Sequence, residues 1–134
     1  MAERGATLLE MLVVMGILGL VAGLAFPALR RPYEALAADT ARSAVLADLR
    51  TGRAEAIRTG APVTFSVSPD GRLYGWKDRS RLLPASVRMQ VESPVTFAED
   101  GSSNGGRLVL YARGRAMTLF VAPATGLASV AATR

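Results

Sequence analysis

The pattern of hydrophobic and polar positions divides the chain into three stretches. The first contains residues 11–29, which include no charged side chain. As a helix that rises about 1.5 Å per residue, this run would reach roughly 28 Å, close to the hydrocarbon thickness of a bilayer. It predicts one membrane-spanning helix, for which we expect residues 6–30 to be the segment.

Glycine and proline occur at defined places within this run. Gly16, Gly19 and Gly23 are spaced three and four residues apart, so they share a face that permits close approach of another helix. Pro27 has no backbone N–H to donate, so it predicts a helix kink. Residues 30–33, Arg-Arg-Pro-Tyr, are typical of a membrane–water interface.

The second stretch, residues 31–60, places small and apolar residues every three or four positions. This spacing predicts an amphipathic helix whose narrow stripe packs closely on a sheet. Arg58, Gly60 and Pro62 together predict the helix end, because a cation, a glycine cap and a proline follow each other. The stripe consists of Ala38, Ala41, Val45, Leu49, Gly52 and Ala56, widened by Leu46 and Ile57.

In the third stretch, residues 61–134, the period changes to two, as in a half-buried strand. Turn signals separate six or seven short strands, and residues 77–80 are interpreted as a polar loop. One long helix followed by such strands predicts an α+β fold, with the helix packed on a C-terminal antiparallel β-sheet or small β-sandwich. The predicted strands are 63–67, 72–76, 87–91, 95–97, 107–112, 115–121 and 127–131.

Composition excludes several kinds of chemistry. The chain has no Cys and no His, which removes disulfides, thiol catalysis, the usual zinc ligands and a His-based triad. We therefore expect no enzyme, no cofactor and no metal site. Asp100, Ser102 and Asn104 alternate like the start of a calcium loop, but the twelfth position is Tyr111 instead of Glu, so a plain flexible loop is favoured.

The formal net charge is +5 and comes almost entirely from arginine. Arg107, Arg113 and Arg115 fall in one predicted hairpin. A solvated charged hairpin is the favoured interpretation, and contact with DNA is the alternative.

The segment GATLLEML at residues 5–12 resembles the processing site of type IV pilins and type II secretion pseudopilins. The resemblance implies a leader at residues 1–5, cleavage by prepilin peptidase between Gly5 and Ala6, and N-methylation of Ala6. It also implies that Thr7 and Glu10 act in assembly, with the Glu10 carboxylate pairing with the new N-terminal ammonium of a neighbouring subunit. Such a pair gains attraction in low dielectric but is offset by desolvation, so it would set register more than stability.

Two other interpretations of the N-terminus stay open. An ordinary single-span anchor would explain the apolar run, and a cleavable secretory signal would explain its position, although such signals have shorter apolar cores. A count of Arg4 against Arg30 and Arg31 favours the opposite membrane orientation, and only the family resemblance implies a cytoplasmic N-terminus.

Residues 97–108, 53–57 and 125–126 resemble the GspH/FimT group of minor pseudopilins. The resemblance implies an H-type minor pseudopilin at or near the tip of a type II secretion pseudopilus. Such a protein is a single-pass protein of the bacterial inner membrane, with a head of residues 61–134 in the periplasm. Its implied partners are prepilin peptidase, other major and minor pseudopilins and either secreted substrates or the secretin. The alternative is a FimT-like minor pilin that acts in type IV pilus assembly or DNA uptake.

Overall fold

The structure is a computed structural model that describes the backbone of residues 3–131 and the side chains of residues 7–28 and 32–131. The described chain forms two compact units, Met1–Glu34 and Ala35–Arg134. We call the described residues 7–28 the rod and the second unit the head. The elements are α1 (Glu3–Thr59), β1 (Val63–Val67), β2 (Leu73–Trp76), β3 (Arg79–Leu82), β4 (Val87–Val91), β5 (Val95–Phe97), β6 (Gly106–Ala112), β7 (Arg115–Val121) and β8 (Ala128–Val130).

Helix α1 contains all of the rod and the first part of the head. It begins at Glu3, three residues before the predicted membrane-spanning segment of residues 6–30, and it includes both Pro27 and Pro32. A kink at Pro27 stays a prediction. The helix ends at Thr59, as predicted, and Gly60 follows with a φ of 58°, the left-handed conformation that commonly caps a helix.

The head contains two four-stranded antiparallel sheets. Their strand orders are β3-β2-β1-β5 and β4-β6-β7-β8, which confirms the predicted α+β fold, with two antiparallel sheets in place of one. In the second sheet, Ala112 pairs with Arg115, so the β6–β7 hairpin turns on only two residues, Arg113 and Gly114. The hairpin was predicted at this place.

The core of the head confirms the predicted helix stripe from Ala38 to Ala56, but Ile57, which was predicted to widen it, is 48% exposed. Val45, Leu49 and Ala56 have no exposed surface, and they belong to one buried cluster with residues of both sheets. A Cβ built on Gly52 would lie 3.8 Å from the rings of Phe97 and Trp76, so the helix comes close to both β5 and β2. A small residue is needed at this position because the sheet packs directly on the helix.

One strand was missed. Residues 77–80 were predicted as a loop, but β3 begins at Arg79 and pairs with β2 as an edge strand. All four residues of β3 are exposed, so the alternation that marks a half-buried strand is absent from the sequence. Gly75 permits the pairing, because a Cβ at that position would lie 1.9 Å from the carbonyl oxygen of Arg79.

Candidate functional site

The predicted processing site lies at the start of α1. The side chains at Gly5 and Ala6 are outside the described residues, so cleavage and methylation stay predictions there. Thr7 and Glu10 lie in the helix and are exposed. The Glu10 carboxylate is therefore placed on the outside of an apolar helix, where a partner from another chain could reach it.

The rod leaves its apolar side chains uncovered. The exposed fraction of its large hydrophobic side chains ranges from 45% at Val14 to 73% at Phe26. The helix has a stretch with a mean hydropathy of 2.4, and none of that stretch is buried in this chain. By length and composition, it is the one helix in the described part of the chain that could cross a membrane. A rod of this kind requires lipid or other subunits around it.

In the head, the three segments that resemble the GspH/FimT group converge on one side chain. Arg53, on the last turns of α1, donates a hydrogen bond from Nε to the carbonyl oxygen of Gly101 at 2.8 Å. Gly126 packs on the same pair, and a Cβ there would lie 2.3 Å from the Gly101 oxygen and 3.1 Å from Arg53 Nε. Arg53 thus connects the helix end to the 98–101 turn and the 122–126 turn. We call this arrangement the Arg53 junction.

Gly101 has a φ of 82° and Gly126 a φ of 62°, so both turns use conformations that favour glycine. The side chain of Ile57 closes the junction, since a Cβ on Gly101 would meet its Cδ1 at 2.8 Å. Arg53 therefore lies against both turns, Ile57 lies against the 98–101 turn, and Gly126 lies against the carbonyl of Gly101.

A second polar cluster joins the helix to the missed strand. The Tyr74 hydroxyl donates to Asp48 Oδ2 at 2.8 Å, and Arg81 Nε lies 3.2 Å from the same oxygen. Tyr74 is 2% exposed, and burial, followed by the hydrogen bond to Asp48, raises its pKa above the ordinary value. This cluster fixes the β2–β3 hairpin to α1. Both Tyr74 and Trp76 pack in the core, with ring centroids 5.5 and 6.2 Å from that of Phe65.

The three arginines proposed for DNA contact do not form one cluster. Arg107 lies near the start of β6, 3.5 Å from a carboxylate oxygen of Glu92. Arg113 and Arg115 lie at the opposite end of the same strand pair, in and beside the two-residue turn.

Arg113 and Gly114 have φ values of 55° and 72°, which is the pattern of a type I′ turn. Asn, Asp and Gly usually occupy the first of these positions, so a long basic side chain there is uncommon. The turn geometry thus does not favour arginine, yet this end of the hairpin carries two arginines, Arg113 and Arg115.

The 98–105 loop uses its polar side chains for its own structure. The Asp100 carboxylate accepts from the amide and the hydroxyl of Ser102, and these bonds lower the pKa of Asp100. Asn104 accepts from the Thr96 amide and donates to the Pro94 carbonyl. Among the residues that the structure describes, no group of His, Cys, Asp and Glu is arranged to hold a metal ion.

An exposed apolar helix that leads into a head of two antiparallel sheets defines the type IV pilin fold class. Residues 1–26 match the prokaryotic N-terminal methylation motif, and residues 41–125 match the type II transport protein GspH family. The chain belongs to the GspH family.

One curated relative carries the same family description. Type II secretion system protein H of Xanthomonas campestris pv. campestris is 34% identical over 119 residues, which cover 80% of this chain and 70% of that protein. Two solved structures share the fold at low identity. The minor pseudopilin EpsH of Vibrio cholerae has a TM-score of 0.56 at 15% identity, covering 69% of this chain and 94% of that one. The type IV minor pilin FimU of Pseudomonas aeruginosa has a TM-score of 0.58 at 14% identity, covering 70% and 92%.

The chain is therefore a minor pseudopilin, and the family and fold are those of structural subunits that assemble with other pseudopilins. Its N-terminal helix is of the single-pass, membrane-anchoring kind. Sequence reasoning missed the roles of Arg53 and Asp48. Each lies beside the apolar stripe and not in it, and each has partners far away in sequence, so spacing along the helix carried no signal for either.

Proposed function

We propose that this chain is the H-type minor subunit of a type II secretion pseudopilus. It is made with a leader of residues 1–5, and prepilin peptidase cuts it after Gly5 and methylates Ala6. The mature subunit is held in the bacterial inner membrane by the rod, with its head in the periplasm. It is then incorporated at or near the tip of the pseudopilus.

One observation supports this proposal above the others: a rod that no part of the described chain covers carries a single carboxylate, Glu10, at its start. A plain anchor needs the apolar surface but has no use for an acid at the membrane edge, where an unpaired charge is costly. Assembly beside other pilin-like helices uses both, because a neighbour's N-terminal ammonium can pair with the carboxylate while the apolar surfaces pack.

The remaining partners follow from this role. The head presents the turns of the Arg53 junction at the end of the domain where α1 stops. We propose that this end contacts other minor pseudopilins, secreted substrates or the secretin. A FimT-like role in DNA uptake has less support, because Arg107 lies beside Glu92 and far along β6 from Arg113 and Arg115.

The leader is tested by blocking the cut. Gly5→Val places a branched side chain at the scissile bond, and we expect it to leave a longer, membrane-bound precursor. The measurement is the intact mass of the chain extracted from cells that contain prepilin peptidase. Gly16→Val, a matched change inside the rod, should be processed normally. Normal shortening of the Gly5→Val chain would refute the assigned leader.

A further inference from the structure

The base of the head carries an excess of positive charge. The groove there has a volume of about 680 Å³ and lies between the first head turns of α1 and the end of the β6–β7 hairpin. Small and apolar residues, including Ala38 and Met117, form its floor. Arg42, Arg113 and Arg115 line it together with one acid, Asp39, which lies 3.6 Å from Arg42, and a second acid, Glu34, directly precedes the lining residue Ala35.

The adjacent strand adds to this charge. Arg88 on β4 pairs across the sheet with the residue two positions before Arg113, so it lies at the same end of the head. The opposite end of the head is mixed in charge, because its acids Glu92, Glu99 and Asp100 lie together with the cations Arg53 and Arg107. The basic end is therefore the one next to the start of the head's own helix segment.

Chain connectivity keeps this basic end close to the membrane. Ala35, which lines the groove, follows Leu29, the last residue of the uncharged run, by six residues. Six residues reach about 9 Å as a helix and at most about 21 Å when fully extended, whatever the angle between rod and head. The headgroup layer occupies roughly 5–7 Å beyond the hydrocarbon edge, and charge acts over a Debye length of about 8 Å at physiological salt.

From this placement we propose that the basic end of the head, formed by Arg42, Arg88, Arg113 and Arg115, docks on anionic phospholipid headgroups of the membrane that holds the rod. The docking would orient the subunit at the membrane surface before it enters the pseudopilus. Arginines near an anionic bilayer surface are attracted to it, and the attraction is screened by salt. The proposal depends on membrane anchoring by the rod but on no later step of assembly.

The test uses the full chain in vesicles. The chain has no cysteine, so Ala116→Cys gives a single attachment site for a fluorophore beside the basic turn. A lipid with a nitroxide on its headgroup quenches the fluorophore at close range. We expect at least about twofold more quenching in vesicles that contain phosphatidylglycerol than in phosphatidylcholine alone, and loss of the difference in about 1 M NaCl.

The charge dependence is tested with a double variant, Arg113→Asn with Arg115→Gln, which should abolish the difference between the two lipids. Asn is favoured at the positive φ of Arg113, so the turn is preserved. The matched control is Lys77→Asn with Arg79→Gln, which removes two charges at another hairpin, again with Asn at a positive φ. It should quench like the unaltered chain.

Equal quenching in the two lipids would overturn the proposal. If the unaltered chain showed equal quenching in both lipids and the double variant lost incorporation into pseudopili, the basic end would instead bind an acidic protein partner. Flotation with the vesicles reports anchoring separately. A chain that failed to float would refute the anchoring and this inference together, whereas a floating chain without lipid-dependent quenching would refute the inference alone.

Discussion

The rod and the head differ in where their apolar side chains lie: those of the head are largely buried within the chain, and those of the rod are exposed. Among the described residues of the head, nineteen hydrophobic residues form one buried cluster, to which the helix contributes three alanines, Val45 and Leu49. In the rod, residues as large as Leu24 and Phe26 are more than 70% exposed. The head can be stable by its own packing, but the rod requires an apolar environment from outside the chain. One helix therefore serves two purposes, and substitutions in its two parts should have separable effects.

The largest effect is expected from charge placed in the rod. Leu18→Arg with Val21→Arg should oppose membrane insertion by about 6–8 kcal/mol, since each exchange replaces a favourable transfer by an unfavourable one. The measurement is the fraction of chain that stays with membranes after alkaline extraction. The control is Leu127→Arg with Val130→Arg in the head, whose targets have similar exposure, 57% and 43% against 56% each in the rod. Equal release of both variants would contradict the separation of rod and head.

The next effect belongs to the core of the head. Phe97 has no exposed surface, so Phe97→Ala should lower the free energy of unfolding by about 3–5 kcal/mol. Anchoring should be unaffected. The single Trp76, which is 6% exposed, reports unfolding by its fluorescence in a denaturant titration. Phe120→Ala, at a residue 44% exposed, is the matched control and should cost about 1 kcal/mol or less. Similar losses in the two variants would show that the core is misassigned.

A smaller effect should follow from the Arg53 junction. Arg53→Ala removes the hydrogen bond to the Gly101 carbonyl and should cost about 1–3 kcal/mol. It should also speed hydrogen exchange at the amides of Gly101 and Gly126, because both turns lose their common contact. Arg50→Ala, at an exposed position on the same helix, should change stability by less than about 0.5 kcal/mol. Unchanged exchange at both glycines would show that the junction does not hold the turns.

The fold was predictable where the buried residues of one helix or strand recur with the period of that element. The stripe from Ala38 to Ala56 was visible because small residues recur with the helical period, and β1 was visible because its burial alternates strictly. The edge strand β3 was missed because all of its residues are exposed and its alternation is absent. The number of strands was underestimated for the same reason.

Only the N-terminal half of the candidate site is marked by a sequence motif, and the roles of its residues stay predictions. The register of Gly5, Thr7 and Glu10 is contiguous in sequence, so a motif can display it. Arg53 acts through a backbone carbonyl 48 residues away, and no local pattern can reveal such a pair. The grouping of Arg113 with Arg42, and its separation from Arg107, likewise depends on which end of the sheet faces which part of the helix.

The central claim is that the rod is an assembly surface whose carboxylate pairs with a neighbouring subunit. The most direct test is incorporation of Glu10→Ala into pseudopili, measured as the fraction of chain recovered in sheared fibres. Glu3→Ala, which removes a carboxylate from the proposed leader, is the matched control. We expect Glu10→Ala to stay in the membrane with a folded head but to be lost from the fibres, while Glu3→Ala is incorporated normally. Equal incorporation of the two variants would contradict the claim.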